Sequence, residues 1–500
     1  MKKWFLFSML FIFLLYLLTL RGSYGNINLY RLSKIERKNL KELPFFNNSQ
    51  ESARFALINS IVEKKTFIVD GIEDFLEPDL AWYNGHFLSA FPIGVSLLAS
   101  IGYLIGKNIN MAQLGSYFTI TLISLINLYL LELICEKFNL INKTRLIVLF
   151  TTAIASVYWI YSVGLYAHIV SVLLLLIMFY FSIKIRKNHN NFLPLSFIWF
   201  VYGLNLFVDY PNLLISFPII LFAILRTIVV VKEKDTLKLK LPSEIFFSFF
   251  PIIIILGIFV YFNISLYNKP IVFTNTYNLH RLKIQNINFS YEKLSNDLFS
   301  KKSYSSRFSL SNLKRGLWVL LFSPDRGLFV FSPIFLFIFI GFYFAYKKKN
   351  YPAYIIIFIF VLNLFIYSVF DDPWGGWSFG PRYLTISLPL LSILIGFAWQ
   401  EFIRKKFFLR LLMLILFLYS AGISFLSALT TTAIPPSIEA INLNLNPTIF
   451  YNLNYLNSGK VSSFFYNLIK SIISPQQYYL LIFSVIIIVS LILFIPEDRL

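Results

Sequence analysis

The chain has 500 residues, of which 57% are hydrophobic and 14% charged, and its mean hydropathy is +0.70; a soluble domain averages about 45–50% apolar and about 25% charged. This composition excludes a water-soluble globular protein. The net charge of +20 does not point to nucleic acid, because the basic residues punctuate long apolar blocks, as topology signals do.

In chain order, Met1-Lys2-Lys3 is followed by an apolar run over 4–20 that ends in Leu20-Arg21-Gly22 without a small-residue cleavage site. It predicts an uncleaved signal-anchor helix. A long segment, 21–111, comes next. Within it, residues 51–65 set Phe55, Leu57, Ile58, Ile61 and Val62 along one stripe, which predicts an amphipathic helix resting on the outer membrane surface. Apolar blocks follow at 112–135, 145–161, 166–184, 193–208, 212–231, 245–264, 327–346, 352–370, 383–400, 407–428 and 476–495, each near the length a helix needs to cross hydrocarbon. One cysteine, Cys135, leaves no internal disulfide and no thiolate cluster.

The apolar stretch 87–106 is decided by charge. If it crossed, Met1-Lys2-Lys3 would stand on the side opposite the basic loops 136–145, 184–191, 226–240, 347–349 and 404–410. If it is re-entrant or interfacial, these loops, the N-terminus and Arg499 share one side, and the short loops opposite (161–166, 208–212, 370–383) hold only Arg382. The positive-inside rule selects the second arrangement. Pro92, Gly94, Gly102 and Gly106 suit a broken or interfacial helix there. The expected fold is therefore an all-α polytopic integral membrane protein, with about 12 transmembrane helices and both termini cytoplasmic in the inner (cytoplasmic) membrane. Residues 1–428 form the main transmembrane domain with outer loops 21–111 and 265–326. Residues 429–500 add an outer loop and a final helix.

Three regions carry candidate chemistry. Glu63, Asp70, Glu73, Asp74, Glu77 and Asp79 crowd the first outer loop and lead into Trp82-Tyr83-Asn84-Gly85-His86. Carboxylates at a membrane surface serve as a general base for a hydroxyl or as oxygen ligands, so Asp70 and Asp79 are candidates and a divalent cation (Mg²⁺ or Mn²⁺) is a conceivable cofactor. The loop Asp371-Asp372-Pro373-Trp374-Gly375-Gly376-Trp377-Ser378-Phe379-Gly380-Pro381-Arg382-Tyr383 cannot face lipid, because its backbone groups would lack partners. It offers Arg382 as a clamp for a phosphate and Trp374, Trp377 and Tyr383 as sugar or lipid contacts; interfacial snorkelling and an aromatic belt are the plain alternatives. Arg326, in Phe322-Ser323-Pro324-Asp325-Arg326-Gly327, is a second anion contact or one half of a turn pair. His168 and Asp209 stand at short outer turns and complete the candidate set with Arg54 and His86. No phosphate-binding Gly-rich loop, His-Glu-x-x-His or zinc spacing occurs, and no span carries a carboxylate chain of the proton-transporter type.

Together these patches resemble the membrane-embedded glycosyltransferases of the GT-C type, in particular an uncharacterised branch related to glycosyltransferase family 39, the protein O-mannosyltransferase and aminoarabinose transferase superfamily. The matching stretches are Glu51-Ser52-Ala53-Arg54-Phe55-Ala56-Leu57 with Asp79 to Gly94, Phe322-Ser323-Pro324 with Arg326-Gly327-Leu328-Phe329, and Trp374 to Tyr383. The resemblance implies a polyprenyl-phosphate sugar donor, an acceptor that is a glycan, lipid or protein of the cell envelope, and a catalytic carboxylate at the start of the first surface helix. Many members have Asp-Glu at that place; this chain has Gln50-Glu51. Glu51 could then be the base, the role could pass to Asp79, or the chain could have lost the activity. A transporter or flippase of lipid-linked sugars is the alternative that needs the same cavity without the base.

Overall fold

The computed structural model describes residues 2–46, 48–187, 189–233, 236–274, 308–446 and 448–495. Arg499 and much of the expected outer loop 265–326 lie outside these residues. The protein is an all-α membrane protein with two small hairpins. Helix α1 (Lys2–Thr19) leads into a first loop that contains α2 (Lys34–Lys41), α3 (Ser49–Asn59), the hairpin β1 (Leu80–Tyr83) and β2 (His86–Ser89), and α4 (Gly94–Lys107). The bundle continues with α5 (Ala112–Lys137), α6 (Asn142–Ile154), α7 (Ala167–Lys184), α8 (Phe192–Val208) and α9 (Pro211–Thr227). A hairpin of β3 (Val229–Glu233) and β4 (Thr236–Lys240) precedes α10 (Phe250–Tyr267). Then come α11 (Ile338–Lys347), α12 (Tyr351–Ser368), α13 (Leu388–Glu401), α14 (Phe407–Leu429) and α15 (Pro475–Phe494). Six helices of the described residues are long and apolar enough to cross a membrane, and several shorter apolar helices pack beside them.

All twelve apolar blocks expected to span form helix, but four are interrupted. The block 245–264 breaks at Ser248-Phe249, between a short helix Glu244–Phe247 and α10. The block 145–161 breaks at Ala155–Val157, between α6 and a short helix Tyr158–Ser162. In the block 327–346, Pro333 lacks an N–H and opens a 3₁₀ turn before α11. The block 383–400 starts as a 3₁₀ turn, Arg382–Leu384, before α13. Pro at the first turn suits α9 and α15, where its missing donor costs nothing.

The stretch 87–106 departs from expectation in an instructive way. It is strand β2 and then an unbroken helix α4 of 14 residues, about 21 Å long and short of the roughly 30 Å of hydrocarbon. Its glycines do not break it. Gly102 and Gly106 lie so close to Gly115 of α5 and to Met111, the cap before it, that a Cβ at either position would collide with backbone. Asn127 of α5 donates to the Ile169 carbonyl at 2.9 Å and Thr121 to Ser162 at 2.8 Å, so these residues are level with the start of α7. The part of α5 that receives α4 projects beyond that level. The other end of α4 rests on the last turn of α8, where Gly94 meets Phe207. Helix α4 therefore stands at one end of the bundle.

The basic loops meet at the opposite end. Arg145 pairs with Glu132 at 3.1 Å, Lys348 with Glu401 at 2.7 Å, and the Ile141 N–H donates to Gln400 at 2.9 Å. The expected surface helix over 51–65 also differs. Helix α3 ends at Asn59 and continues as a π turn, Ser60–Lys64. Every residue from Glu51 to Asn59 is buried, so α3 is enclosed by protein on all sides and does not rest on lipid.

Candidate functional site

A cavity of about 1380 Å³ opens at the end of the bundle that carries α4. Its floor and walls come from the start of α3 (Asn48, Ser49, Gln50, Arg54), the turn Glu77–Asp79, Phe91-Pro92, the start of α7 (His168), the α8–α9 turn (Asp209, Tyr210), the end of α12 and the loop 371–383. Leu214, Phe273, Phe308, Phe365 and Phe370 give it an apolar flank.

Helix α3 is aimed by its cap. The Asn48 side chain accepts from the Gln50 N–H at 2.9 Å and donates from Nδ2 to the Trp377 carbonyl at 3.1 Å, which ties the helix start to the loop 371–383. One turn of helix separates Gln50 from Arg54, so both face the cavity, whereas Glu51 points the other way. Its carboxylate is fully enclosed and accepts from Arg21 Nη1 at 3.2 Å and from the Leu165 N–H at 3.3 Å. Arg21 Nη1 also donates to Thr432 at 3.1 Å. Glu51 is thus half of a buried ion pair and does not line the cavity, an unsuitable place for a base that must meet a substrate hydroxyl.

Arg54 is 3% exposed and lies over the Phe91 ring, 4.3 Å from its centroid. Its Nη1 donates to the Gln50 backbone oxygen at 3.3 Å, and burial lowers its pKa to about 10, which leaves it charged at neutral pH. Arg382 lies over the ring of Tyr383 at 4.9 Å, and Tyr383 stacks on Tyr367 with centroids 4.0 Å apart. Gly375, at φ +72°, gives Arg382 its space, since a Cβ there would strike the guanidinium. Among the described residues no carboxylate forms an ion pair with Arg54 or Arg382, and the Nε of each has no partner. The Gln50 amide stands between them. In one orientation its oxygen accepts from Arg54 at 3.4 Å; turned over, it accepts from Arg382 Nη2 at 3.1 Å. One neutral oxygen thus serves either of two cations, one at a time.

His168 and Asp209 complete the deep part of the cavity. His168 Nε2 has no hydrogen-bond partner among the described residues. Burial raises the Asp209 carboxyl to about 6, against the pull of Arg54 and Arg382. Asp79 lines the cavity on the side of Lys38 and Lys41.

Other candidates lie elsewhere. Arg326 is 1% exposed, outside the cavity lining, and donates to the carbonyls of Trp374 (2.9 Å), Asp325 (2.8 Å), Gly376 (2.9 Å) and Ile434 (2.9 Å). It holds the loop 371–383 from behind, so its anion-contact role gives way to a scaffold role. Asp70 and His86 bond each other at 2.7 Å beside the β1–β2 hairpin, and Asp70 also accepts from the Phe87 N–H. Both are exposed and outside the cavity lining. Trp374 turns toward Arg315, whereas Trp377 lines the cavity and donates to Glu439 at 2.6 Å.

Sequence reasoning passed over Lys38, Lys41, Tyr367 and the segment around Thr432, Ile434 and Glu439. The last of these carries no motif; only its contacts place it beside the site. As to a metal, no group of three His, Cys, Asp or Glu side chains among the described residues could hold an ion.

No family model matches this sequence, and no curated protein matches it. Solved structures similar to it include ArnT from Cupriavidus metallidurans in the apo state, at TM-score 0.49 and 10% identity over 86% of this chain and 65% of that one. The same protein bound to undecaprenyl phosphate gives TM-score 0.46 at 10% identity, over the same 86% and 65%. The archaeal oligosaccharyltransferase AglB from Archaeoglobus fulgidus, in complex with an inhibitory peptide and a dolichol-phosphate, gives TM-score 0.46 at 11% identity over 91% and 59%. The chain spans about two thirds of the length of ArnT. In the path of its chain, the protein is similar to ArnT and AglB.

Proposed function

We propose that the protein is a glycosyltransferase that moves a monosaccharide from a polyprenyl-phosphate donor to a glycan, lipid or protein of the cell envelope, with inversion, at the outer face of the cytoplasmic membrane. The observation that carries this reading is the pair Arg54 and Arg382: two cations that form no ion pair with a carboxylate among the described residues, in a cavity with an apolar flank at the end of a membrane bundle. Keeping two guanidinia in such a place is unfavourable unless an anion joins them. A lipid phosphate supplies the charge, and its chain lies along Leu214, Phe273 and Phe365. Arg382 offers a planar fork of donors to the phosphate oxygens, and Arg54 lines the same cavity with a second guanidinium. As the bond from the anomeric carbon to the phosphate oxygen breaks, both cations stabilise the charge on the departing phosphate. The leaving group needs little protonation, so the remaining requirement is a base for the acceptor hydroxyl.

Purified protein, labelled polyprenyl-phosphate sugars and a panel of envelope acceptors test the reading. Transfer is expected with at least one pair; neither transfer nor donor hydrolysis across the panel would count against it. Gln50 favours a second reading. It stands where the resemblance places a carboxylate, and a flippase or transporter of lipid-linked sugars needs the cavity but no base. Under that reading, the protein moves donor across vesicle membranes and leaves it chemically unchanged.

Sidedness belongs to the same proposal. Reporters fused at Asn142 and Lys348 are expected on the cytoplasmic side and one at Lys107 on the outer side. A cytoplasmic signal at Lys107 would place the cavity on the wrong face for an envelope acceptor. The matching outer reporter at Asn275 falls outside the described residues.

A further inference from the structure

The glycosyltransferase reading leaves one part unassigned. Gln50 faces both cations but is an amide and takes no proton at neutral pH, and Glu51 is sealed against Arg21. The carboxylates that line the cavity are Glu42, Glu77, Asp79, Asp209, Asp371, Asp372 and Glu439. Glu42, Glu77, Asp371 and Glu439 are exposed at the rim. Asp372 Oδ1 accepts from the Gly375 N–H at 3.1 Å and shapes the loop. Asp79 and Asp209 remain. Asp209 lines the same deep part of the cavity as Arg54 and Arg382 and interacts with both guanidinia, whereas Asp79 stands in the turn Glu77–Asp79 beside Lys41. The turn between α8 and α9 thus delivers a carboxylate to the place where the two phosphate-seeking cations converge.

We infer that Asp209 is the general base of this cavity, acting on an acceptor hydroxyl while Arg54 and Arg382 hold the donor phosphate. The inference rests on the glycosyltransferase reading. In the step, the acceptor O–H bond breaks and its proton goes to the Asp209 carboxylate. The acceptor oxygen forms a bond to the anomeric carbon, and the bond from that carbon to the phosphate oxygen breaks with its electron pair left on the lipid phosphate. Asp209 then returns its proton to water. No oxidant, reductant or further reactant is needed.

The surroundings suit this task. Arg54 faces Asp209 from α3, Arg382 and Tyr383 from the loop 371–383, Tyr367 from α12, His168 from the start of α7 and Tyr210 from the same turn. A base works best with a pKa close to the working pH, and burial brings the Asp209 carboxyl to about 6. It is the ionised form that accepts a proton, so transfer is expected to rise with pH through about 6 and level off above it.

The test compares wild type, Asp209→Asn and Asp79→Asn in the full-length protein, read by sugar transfer and by binding of a polyprenyl phosphate without sugar. Asp209→Asn is expected to lower transfer by about 100-fold or more and to remove the rise near pH 6. It should still bind polyprenyl phosphate at least as tightly as wild type, since a negative charge beside the phosphate is gone. Transfer within threefold of wild type in Asp209→Asn would overturn the assignment, as would loss of transfer in Asp79→Asn alone. Parallel loss of lipid binding and thermal stability in Asp209→Asn would make Asp209 a structural counter-ion, which also overturns it. If wild type binds polyprenyl phosphate yet transfers nothing, the enzyme reading fails and the base goes with it. Surviving transfer in Asp209→Asn sinks the base alone.

Discussion

Four arginines border the site, and they divide into two pairs. Arg21 and Arg326 stand behind the wall of the cavity. One is neutralised by Glu51, and the other directs its donors to four backbone carbonyls. Arg54 and Arg382 stand in front. Their acceptors are a glutamine amide, its backbone oxygen and a tyrosine hydroxyl, and neither forms an ion pair with a carboxylate among the described residues. Arg21, Arg326 and Arg382 stand at loop or helix boundaries, and Arg54 lies within α3. What separates scaffold from recognition is how fully the protein itself answers their donors. Hydrogen-bonding capacity left open inside a protein is costly, so it marks the place where a ligand is expected.

The comparison is sharpest where it predicts different losses. The largest effect is expected behind the wall. Glu51→Gln leaves the Arg21 charge buried without its counter-ion and should cost about 3–5 kcal/mol of stability, read as a lower melting temperature in detergent. Unchanged stability with selective loss of transfer would return Glu51 to the role of base. Next, Arg326→Lys should cost about 2–3 kcal/mol, because one ammonium cannot span the carbonyls of Trp374, Gly376 and Ile434 and leaves acceptors buried unmet. In front of the wall, Arg382→Lys should leave the melting temperature unchanged. It should weaken polyprenyl-phosphate binding by about tenfold or more, on the order of 1.5–3 kcal/mol for one charge-assisted contact. If Lys at 382 binds as well as Arg, the two pairs are not functionally distinct. The smallest effect belongs to the rim. Trp377→Phe removes only the hydrogen bond to Glu439 and should shift donor affinity by about 1 kcal/mol, measured by the same binding assay.

The sequence carries the helices and the regions that meet far better than it carries the direction each side chain takes. Apolar blocks of membrane-spanning length are a strong, local signal, and each of the twelve forms helix. Charge bookkeeping separates 87–106 from the spans, and α4 indeed stands at one end of the bundle, held by glycine contacts. The polar patches at the start of α3 and in the loop 371–383 also meet, through Asn48 and Trp377. Direction is another matter. Gln50 and Glu51 are neighbours, and a turn of about 100° per residue sends one into the cavity and the other to Arg21. Nothing local reveals that Arg21 waits there, because its other partners, Tyr166, Ser427 and Thr432, lie far along the chain. Arg326 and Arg382 look alike in sequence, each a lone cation beside a span. Only the carbonyls around Arg326, one of them from Ile434, tell them apart.

Those long-range ties share one property. Thr432 receives Arg21, the Ile434 carbonyl receives both Arg326 and the Ser378 N–H, and Glu439 receives Trp377. All three acceptors lie in the short stretch after α14, beyond residue 429. During synthesis the walls of the cavity are therefore made early and fastened late. A nascent chain that stalls before Thr432 holds nearly every residue that would touch a donor, yet presents Arg21 and Arg326 without these fastenings. The cavity is thus complete only when the last stretch of chain has closed over the arginines behind its wall.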